Sequence, residues 1–180
     1  MTKITWFAHG TTTDNEQGLA TGWNPGELSE LGIQQAKGLT KHISDDSFSV
    51  VYTSDRKRAI NTANLSFGAT HELRQDSRLR EVDYGDKTGE PSKSFKSDPL
   101  KFVDMPFPNG ESYKDVEKRV ASFLKDVKSE FPDGHIAIIA HLGPRLAVEV
   151  LVNDLTWEVA FATKKLGTKP WHTGWVYELQ

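Results

Sequence analysis

The chain has 180 residues, of which 37% are hydrophobic and 26% are charged, and its formal net charge is -3 at pH 7. These values are ordinary for one globular domain, and the near balance of charges argues against a nucleic acid or an anionic membrane as the partner. Because the chain has no cysteine, disulfides, thiolate catalysis and cysteine-ligated metals are excluded. We see neither a leader segment nor an apolar run of about 20 residues, so we expect a cytoplasmic protein without a membrane span.

Four segments have the residue pattern of β-strands. They are residues 4–8, 47–52, 136–140 and 175–179. The third of them, Ile-Ala-Ile-Ile-Ala, is apolar at every position, as expected for a parallel strand that is covered on both faces. The fourth alternates between apolar and polar residues, which is typical of an edge strand.

Amphipathic helical patterns separate these strands. The clearest covers residues 111–131, where apolar side chains recur at helical spacing before a Pro-Asp-Gly turn. A second pattern covers residues 28–43 and has Ser29 as a suitable N-cap. Two shorter patterns begin at Arg58 and after Pro144.

The alternation of strands and helices predicts the fold class. We expect a single three-layer α/β/α domain that covers residues 1–180 and contains a mainly parallel sheet. Residues 85–109 interrupt the alternation, because they are rich in glycine, proline and charged residues. We predict that this excursion lies over the active site as a lid or wall and does not form a second domain.

Polar residues that follow three of the strands define a candidate site. His9 and His141 each follow a strand directly, and Arg58 stands at the helix start behind the strand 47–52. Ligands of open α/β sheets bind beyond the carboxyl ends of the strands, so parallel neighbours would bring these three side chains together. Two histidines and a cation beside a helix N-terminus are typical of an anion site. Each of these residues alone more often has a structural role. The prediction of a site rests on the three residues meeting at one edge of the sheet.

A metal centre is the rival use of the two histidines. Asp55, Glu81 or Asp83 could add a carboxylate, but the sequence has neither an HExxH nor a His-x-His pattern. The positive charges of Lys57 and Arg58 beside the pair would also repel a divalent cation. We therefore expect an anion site and no metal.

Six short segments, in chain order, carry a family resemblance. They are AHGTTTDNE (8–16), ATGWNPGELSELGIQQA (20–36), YTSDRKRAINTA (52–63), RLREVDYGD (78–86), FPNGESYKDVEKRV (107–120) and IAIIAHLG (136–143). Together they resemble the motifs of the histidine phosphatase superfamily, the phosphoglycerate mutase-like proteins, over nearly the whole chain. Any one segment is weakly specific, whereas six in the family's order are specific.

The resemblance implies phosphoryl transfer through a phosphohistidine, without a metal or an organic cofactor. His9 would attack phosphorus as a neutral imidazole. Arg58 and His141 would stabilise charge on the phosphoryl oxygens. Glu81 would protonate the leaving alcohol and then deprotonate water. A further group of residues would bind the phosphate or the leaving oxygen: Gly10, Thr11, Asn15, Thr21, Gly22 and Arg145.

The sequence departs from the family pattern at Ala8, where the family motif Arg-His-Gly has its arginine. The change removes a charge-assisted phosphate contact of about 1.5–3 kcal/mol. Arg145, Arg56 or Lys57 could replace the missing cation, and Arg145, just past His141, is the best placed of them. The site could instead be degenerate and bind phosphorylated ligands without turnover, or the alanine could be an engineered change. We favour a natural variant, because Leu142 also departs from the family's glycine.

The length of the chain favours a phosphatase over a mutase. Mutases of this family carry a longer insertion that closes over bisphosphate substrates, whereas this chain has only the excursion 85–109. We therefore expect a phosphomonoester hydrolase that acts on a small phosphorylated metabolite. A binding protein without turnover is the alternative, and a mutase is the less favoured one. The sequence leaves the substrate and the oligomeric state open.

Overall fold

A five-stranded sheet lies at the centre of the fold in the computed structural model, which describes residues 1–43, 47–163 and 174–180. The strands are β1 (Thr2–Ala8), β2 (Val50–Thr53), β3 (Leu73–Gln75), β4 (His135–Ala140) and β5 (Trp175–Leu179). Their spatial order is β3-β2-β4-β1-β5. The first four run parallel, and β5 pairs antiparallel with β1 at the edge. The predicted mainly parallel sheet and its edge strand are thus confirmed.

Helices surround the sheet on both faces. They are α1 (Thr13–Gln17), α2 (Glu30–Ile43), α3 (Lys57–Ser66), α4 (Lys93–Lys96), α5 (Tyr113–Glu130), α6 (Leu142–Val152) and α7 (Trp157–Thr163). Short 3₁₀ turns cover Ser77–Leu79, Gly85–Lys87 and Pro99–Phe102. In the described part of the chain, no helix is long and apolar enough to cross a membrane.

Alternate residues of the strands face two separate apolar cores, because successive side chains of a strand point to opposite faces. On one face, Phe7 and Ile139 pack with Leu39 of α2 and with Phe67, which directly follows α3. The other core joins the opposite face of the sheet to α5, α6 and α7. Each fully buried large apolar side chain contributes about 1.5–3 kcal/mol. The predicted three-layer α/β/α arrangement is confirmed.

The helix boundaries follow the local capping chemistry. Ser29 precedes α2, and its Oγ accepts the N–H of Gly32 at 3.2 Å, as predicted for an N-cap. Ser112 and Asp115 form a reciprocal capping box at the start of α5. The expectation that the last long helix begins after Pro144 is wrong by three residues, since α6 already begins at Leu142. Proline is tolerated in a first helical turn because its missing N–H would have no partner there.

The excursion 85–109 is built on aromatic side chains. Phe102 and Phe107 stack with ring centroids 3.8 Å apart, and Tyr84 and Phe95 complete the cluster. Pro91 forms an isolated bridge with Leu19, which ties the excursion to the loop before α2. This segment therefore belongs to the same apolar core as α5 and α6.

Candidate active site

The parallel sheet brings the carboxyl ends of β1, β2 and β4 together. The N–H of His9 donates to Ala140 O at 3.0 Å, and the N–H of Ser54 donates to Ile139 O at 3.4 Å. These bonds extend the strand register, so His9 and Ser54 flank His141, which follows β4. The imidazole rings of His9 and His141 lie 5.0 Å apart between centroids. The structure thus places both predicted histidines at one edge of the sheet.

His9 is held as a neutral imidazole with its proton on Nδ1. That nitrogen lies 2.7 Å from Gly10 O, and because a carbonyl only accepts, Nδ1 is the donor. The Nε–H of Arg58 donates to Nε2 at 3.3 Å, which requires a lone pair there. Burial and the charge of Arg58 lower the pKa of His9 from 6.5 to about 3, although the Gly10 hydrogen bond raises it. At neutral pH, Nε2 is therefore available as a nucleophile.

Arg58 is a buried cation, with 1% of its surface exposed. Besides its contact with His9, the guanidinium donates to Gly22 O at 2.8 Å and to Asn24 O at 2.7 Å. Burial lowers the pKa of Arg58, and the charge of Glu81 raises it, but an arginine stays protonated in proteins. A fixed positive charge therefore lies beside Nε2 of His9.

Ser54 sets the orientation of the second histidine. Its Oγ accepts the N–H of Arg56 at 3.3 Å and lies 2.6 Å from Nε2 of His141. A serine hydroxyl has one hydrogen and two lone pairs, so it can still donate to Nε2, and this donation puts the proton of the neutral ring on Nδ1. Burial and the charge of Arg58 hold the pKa of His141 well below 6.5. Nδ1 is buried without a hydrogen-bond partner among the described residues, and in this tautomer it can donate to an anion.

Glu81 lies at the N-terminus of α6, directly behind His141. Its Oε1 accepts the N–H of Gly143 and the N–H of Val82, both at 2.9 Å. A Cβ at position 143 would collide with Oε1 and lie 2.6 Å from a methyl group of Val82, so the approach needs glycine. Since Oε1 already accepts two hydrogen bonds, a proton on this carboxyl group belongs on Oε2.

The backbone of Glu81 is also fixed by two side chains from distant segments. The indole N–H of Trp23 donates to Glu81 O at 2.8 Å, and Arg119 donates to the same oxygen at 3.0 Å. Arg119 is itself paired with Glu111 at 2.9 Å. These contacts hold the carboxyl group in place beside α6.

The loop after β1 is anchored to α2 and α3. The N–H of Gly10 donates to Oγ1 of Thr62 at 3.0 Å. A Cβ on Gly10 would lie 2.5 Å from Gly32 O, so the loop contacts α2 backbone to backbone. The N–H and hydroxyl of Thr11 both donate to Gln35 Oε1, at 2.8 and 2.9 Å. Both donors of Thr11 are thus engaged with α2, so the predicted contact with phosphate would require one of these hydrogen bonds to open.

Asn15 also has a structural contact that the sequence prediction missed. Its Oδ1 accepts the N–H of Thr12 at 3.1 Å, and its own N–H donates to Oγ1 of Thr12 at 3.1 Å. The pair forms the capping box of α1. The amide oxygen of Asn15 is thus committed to the helix, and only its amide hydrogens remain for a phosphate contact.

Thr21 and Gly22 lie in the loop that Arg58 holds. Thr21 is buried, and its Oγ1 has no hydrogen-bond partner in the part of the chain that the structure describes. Gly22 has a φ of 50°, in the left-handed region that favours glycine, and its carbonyl faces Arg58. Thr21 therefore offers a free hydroxyl near the site, whereas Gly22 shapes the loop.

The three cations proposed to replace an arginine at position 8 are engaged elsewhere. Arg145 is buried, donates to Glu149 Oε1 at 2.8 Å and lies 4.4 Å from the centroid of the Trp175 ring. Arg56 pairs with Asp55 at 3.0 Å and donates to a backbone carbonyl, and Lys57 pairs with Glu27. A phosphate contact from Arg145 would require its pair with Glu149 to open. Ala8 itself is half-buried opposite Ala140.

Within residues 1–43, 47–163 and 174–180, no group of three or more His, Asp or Glu side chains is placed to hold a metal ion. Asp55 is instead clamped by Arg80 and Arg56, whose hydrogen bonds hold its pKa well below the usual value despite the opposing effect of burial. Independence from a metal remains a prediction.

The chain is similar to several known proteins in sequence and in fold. The sequence profile described as "Histidine phosphatase superfamily (branch 1)" matches residues 6–158. A "2,3-bisphosphoglycerate-dependent phosphoglycerate mutase" of Rhizobium meliloti is 32% identical over 161 residues, which cover 81% of this chain and 76% of that protein. "Phosphoserine phosphatase 1" of Hydrogenobacter thermophilus is 29% identical over 157 residues, which cover 82% of this chain and 74% of that protein.

A solved structure shows the same fold. Mycobacterial glucosyl-3-phosphoglycerate phosphatase, crystallised with VO3, aligns with a TM-score of 0.79 at 25% identity and covers 89% of this chain and 86% of its own. The predicted phosphoglycerate mutase-like fold is thus confirmed, and phosphatases recur among the relatives. The chain belongs to the histidine phosphatase superfamily (branch 1).

Proposed function

We propose that the protein is a phosphomonoester hydrolase that acts through a phosphohistidine on a small phosphorylated metabolite. One observation carries the proposal: Nε2 of His9 has a lone pair, because Nδ1 donates to Gly10 O and Arg58 donates to Nε2. A neutral imidazole beside a buried cation is suited to attack an anionic phosphoryl group. Phosphatases among the relatives support the same reaction class.

In the first step, Nε2 of His9 attacks phosphorus, and the bond from phosphorus to the ester oxygen breaks. Arg58 and the Nδ1–H of His141 donate to the phosphoryl oxygens, where charge is held in the transition state. Glu81 gives its Oε2 proton to the leaving oxygen, so the product is a neutral alcohol. The carbonyl of Gly10 stabilises the positive charge that the imidazole ring gains on phosphorylation.

In the second step, water loses a proton to the Glu81 carboxylate and attacks the phosphohistidine. The bond from Nε2 to phosphorus breaks, and the nitrogen recovers its lone pair. Inorganic phosphate leaves, and Glu81 is again protonated. His9 and Glu81 have then returned to their starting protonation states, so the cycle consumes only the ester and water.

Ala8 favours a second candidate, a protein that binds phosphorylated ligands with little or no turnover. Three neighbouring cations are paired with carboxylates, so the pocket lacks an evident replacement for an arginine at position 8. Removal of one donor to the transition state costs roughly 10²–10³ in rate. We therefore expect reduced activity, since His9, Arg58 and Glu81 are all in place.

A mutase is the third candidate, supported by the relative from Rhizobium meliloti. The three candidates differ in the fate of the phosphohistidine. A phosphatase releases its phosphoryl group to water, whereas a mutase returns the group to a second hydroxyl and needs a bisphosphate to start. A binding protein does not form the covalent intermediate.

Trapping of the intermediate tests the proposal. The protein is mixed with p-nitrophenyl phosphate, quenched in alkali, and mapped by mass spectrometry for acid-labile phosphate, with His9→Ala and His42→Ala alongside. We expect the label on His9 in the native chain and in His42→Ala, together with steady phosphate release in a chelator. A label that is stable in water and is discharged by a phosphate monoester with a second, free hydroxyl group would identify a mutase. Thermal stabilisation by phosphate without any label would identify a binding protein.

A further inference from the structure

A cavity of about 480 Å³ lies beside the candidate site. Its walls come from the excursion 85–109, from the first turns of α6 and from the end of α7. The volume is within the range of about 300–1,000 Å³ that is typical of small-molecule sites. None of the steps above uses this cavity, although it adjoins the residues that perform them.

One hydrogen bond and two electrostatic interactions connect the cavity to Glu81. Gly143 lines the cavity and donates its N–H to Glu81 Oε1 at 2.9 Å. Tyr84 and Tyr113 line the cavity as well. Burial raises the pKa of both phenols most, and the negative charge of Glu81 raises it further. The inner end of the cavity is therefore next to the carboxyl group that would protonate the leaving oxygen. A group bound there would be the alcohol side of the ester.

The inner wall of the cavity is apolar and aromatic. Tyr84, Tyr113 and Leu146 are buried, and Leu142 and Phe161 are partly buried. Each tyrosine hydroxyl has a hydrogen that can be donated to a polar atom of a ligand. Flat rings favour stacking or edge contacts with another ring over contacts with a small polar chain.

The outer rim is charged and carries both signs. Asp98 and Glu158 are exposed, and the ammonium group of Lys96 lies 4.6 Å from the centroid of the Tyr84 ring. The charges are thus placed at the mouth, and the apolar surface is placed inside. A leaving group as small and polar as serine or glycerate would leave most of this wall in contact with water.

We infer that this leaving-group cavity binds the alcohol part of the substrate, and that the substrate is the phosphate monoester of an alcohol that carries an aromatic ring. The inference rests on the proposed function, because it assigns the cavity to the departing alcohol. It identifies the class of alcohol from the shape and polarity of the cavity. The phosphoryl group would be bound by the same residues for every alcohol.

Two alkyl phosphates test the inference without a difference in leaving-group chemistry. Ethyl phosphate and 2-phenylethyl phosphate release alcohols of similar acidity, so a difference in kcat/KM reports contacts with the phenyl ring. We expect 2-phenylethyl phosphate to be preferred by about 30-fold, as burial of one ring would give. O-phosphoserine should be no better than ethyl phosphate.

A pair of exposed residues in the excursion provides a matched comparison. Leu100 is 47% exposed and lines the cavity, whereas Met105 is 51% exposed and does not. Leu100→Asp should reduce kcat/KM for 2-phenylethyl phosphate about tenfold and leave ethyl phosphate within twofold. Met105→Asp should change neither value, and both variants should fold because each side chain is at the surface.

The outcomes separate the inference from the proposed function. Equal kcat/KM for the two alkyl phosphates, or equal effects of Leu100→Asp on both, would overturn the inference and leave the phosphatase proposal intact. No turnover of either ester and no phosphohistidine would overturn the phosphatase proposal. In that case, we would measure how well each ester displaces bound phosphate. Tighter binding of 2-phenylethyl phosphate than of ethyl phosphate would still show that the cavity binds the ring.

Discussion

Ser54 Oγ lies 2.6 Å from Nε2 of His141, at the ends of two neighbouring parallel strands. By donating to Nε2, the hydroxyl would keep the proton of His141 on Nδ1, which has no hydrogen-bond partner among the described residues. Replacement of Ser54 by alanine removes this constraint without altering the strands. We expect a loss of one charge-assisted hydrogen bond to phosphate, of about 1.5–3 kcal/mol, which corresponds to roughly 10- to 100-fold in kcat.

Steady-state kinetics of Ser54→Ala and Ser54→Thr test this role. Threonine keeps the hydroxyl, so Ser54→Thr should retain most of the activity that Ser54→Ala loses. If Ser54 only filled space, the presence of a hydroxyl would not decide which of the two variants is active. Unchanged kcat in Ser54→Ala would show that His141 is oriented without the serine.

Gly143 and Glu81 give a second prediction. A methyl group at position 143 would displace the Glu81 carboxyl group. Gly143→Ala should therefore reduce kcat for an alkyl phosphate by about 10², as loss of a general acid does. The rate for p-nitrophenyl phosphate should fall much less, because p-nitrophenolate departs without a proton. Measurement of both substrates with one variant separates acid catalysis from a general loss of activity.

Gly38→Ala is the matched control for this variant. Gly38 lies in α2, and a Cβ there would meet no atom within 4 Å. The change should leave kcat unaltered and stabilise the helix by roughly 0.5–1 kcal/mol. An equal loss with both substrates in Gly143→Ala would contradict the assignment of Glu81 as the acid.

Arg58 serves the loop as well as the candidate site, because its guanidinium donates to the carbonyls of Gly22 and Asn24. Arg58→Lys keeps the charge but loses the fork that reaches both oxygens. We expect the free energy of unfolding in urea to fall by about 2–4 kcal/mol, since buried carbonyls lose their donors. Stabilisation by phosphate should decrease in the same variant.

Arg74→Lys supplies the comparison for this prediction. Arg74 pairs with Glu72 and Glu130 at the surface, where ion pairs contribute about 0–1 kcal/mol. Its replacement should cost little stability and leave phosphate binding unaltered. A similar loss of unfolding free energy in both variants would mean that the buried hydrogen bonds of Arg58 contribute no more to stability than a surface ion pair.

The lowered pKa of His9 predicts a pH dependence of stability. The pKa of a histidine is about 6.5 in the unfolded chain and about 3 for His9 in the fold. Between these values the unfolded chain binds more protons, so stability falls as pH decreases from 6.5 towards 3. His141 contributes with the same sign. In His9→Gln, the slope of unfolding free energy between pH 6 and pH 4 should be shallower, and an identical slope would show that His9 titrates normally.

Ala8 yields the fifth prediction. Arginine at this position would place a second guanidinium near the phosphoryl oxygens, so Ala8→Arg should raise kcat/KM at least tenfold, towards the range of about 10²–10³ for one donor. Ala8→Gln, which has similar bulk but no charge, should not raise it. No gain from arginine would indicate that another group already fills this role.

Strands β1 and β4 were predictable from the sequence because apolar residues dominate the predicted segments and each segment ends directly before a histidine. β1 and β4 were predicted within two residues at their N-terminal ends and to the residue at their C-terminal ends. β3, in contrast, is a three-residue strand, Leu73–Gln75, with no apolar pattern of its own. Its strand conformation comes from pairing with β2, in which Val51 is opposite Leu73. Local sequence contains no signal for such a partner.

The contacts that orient the site were less predictable than the groups they orient. Arg119 reaches the carbonyl of Glu81 across 38 positions of sequence, and Gln35 reaches Thr11 across 24. Both lie on helices where a polar side chain is normally assigned to solvent. Only the packing of α2 and α5 against the loops shows which polar groups face inwards.

Gly10 and Gly32 bring the loop behind His9 and the first turn of α2 into direct backbone contact, where no side chain fits. This backbone contact does not tolerate a single substitution, because even one added methyl group would displace the loop or the helix. The far wall of the leaving-group cavity is formed by side chains such as Leu100 and Phe161, which can be exchanged one at a time. In descendants of this protein, the choice of alcohol can therefore diverge by single substitutions while the reacting nitrogen keeps its position.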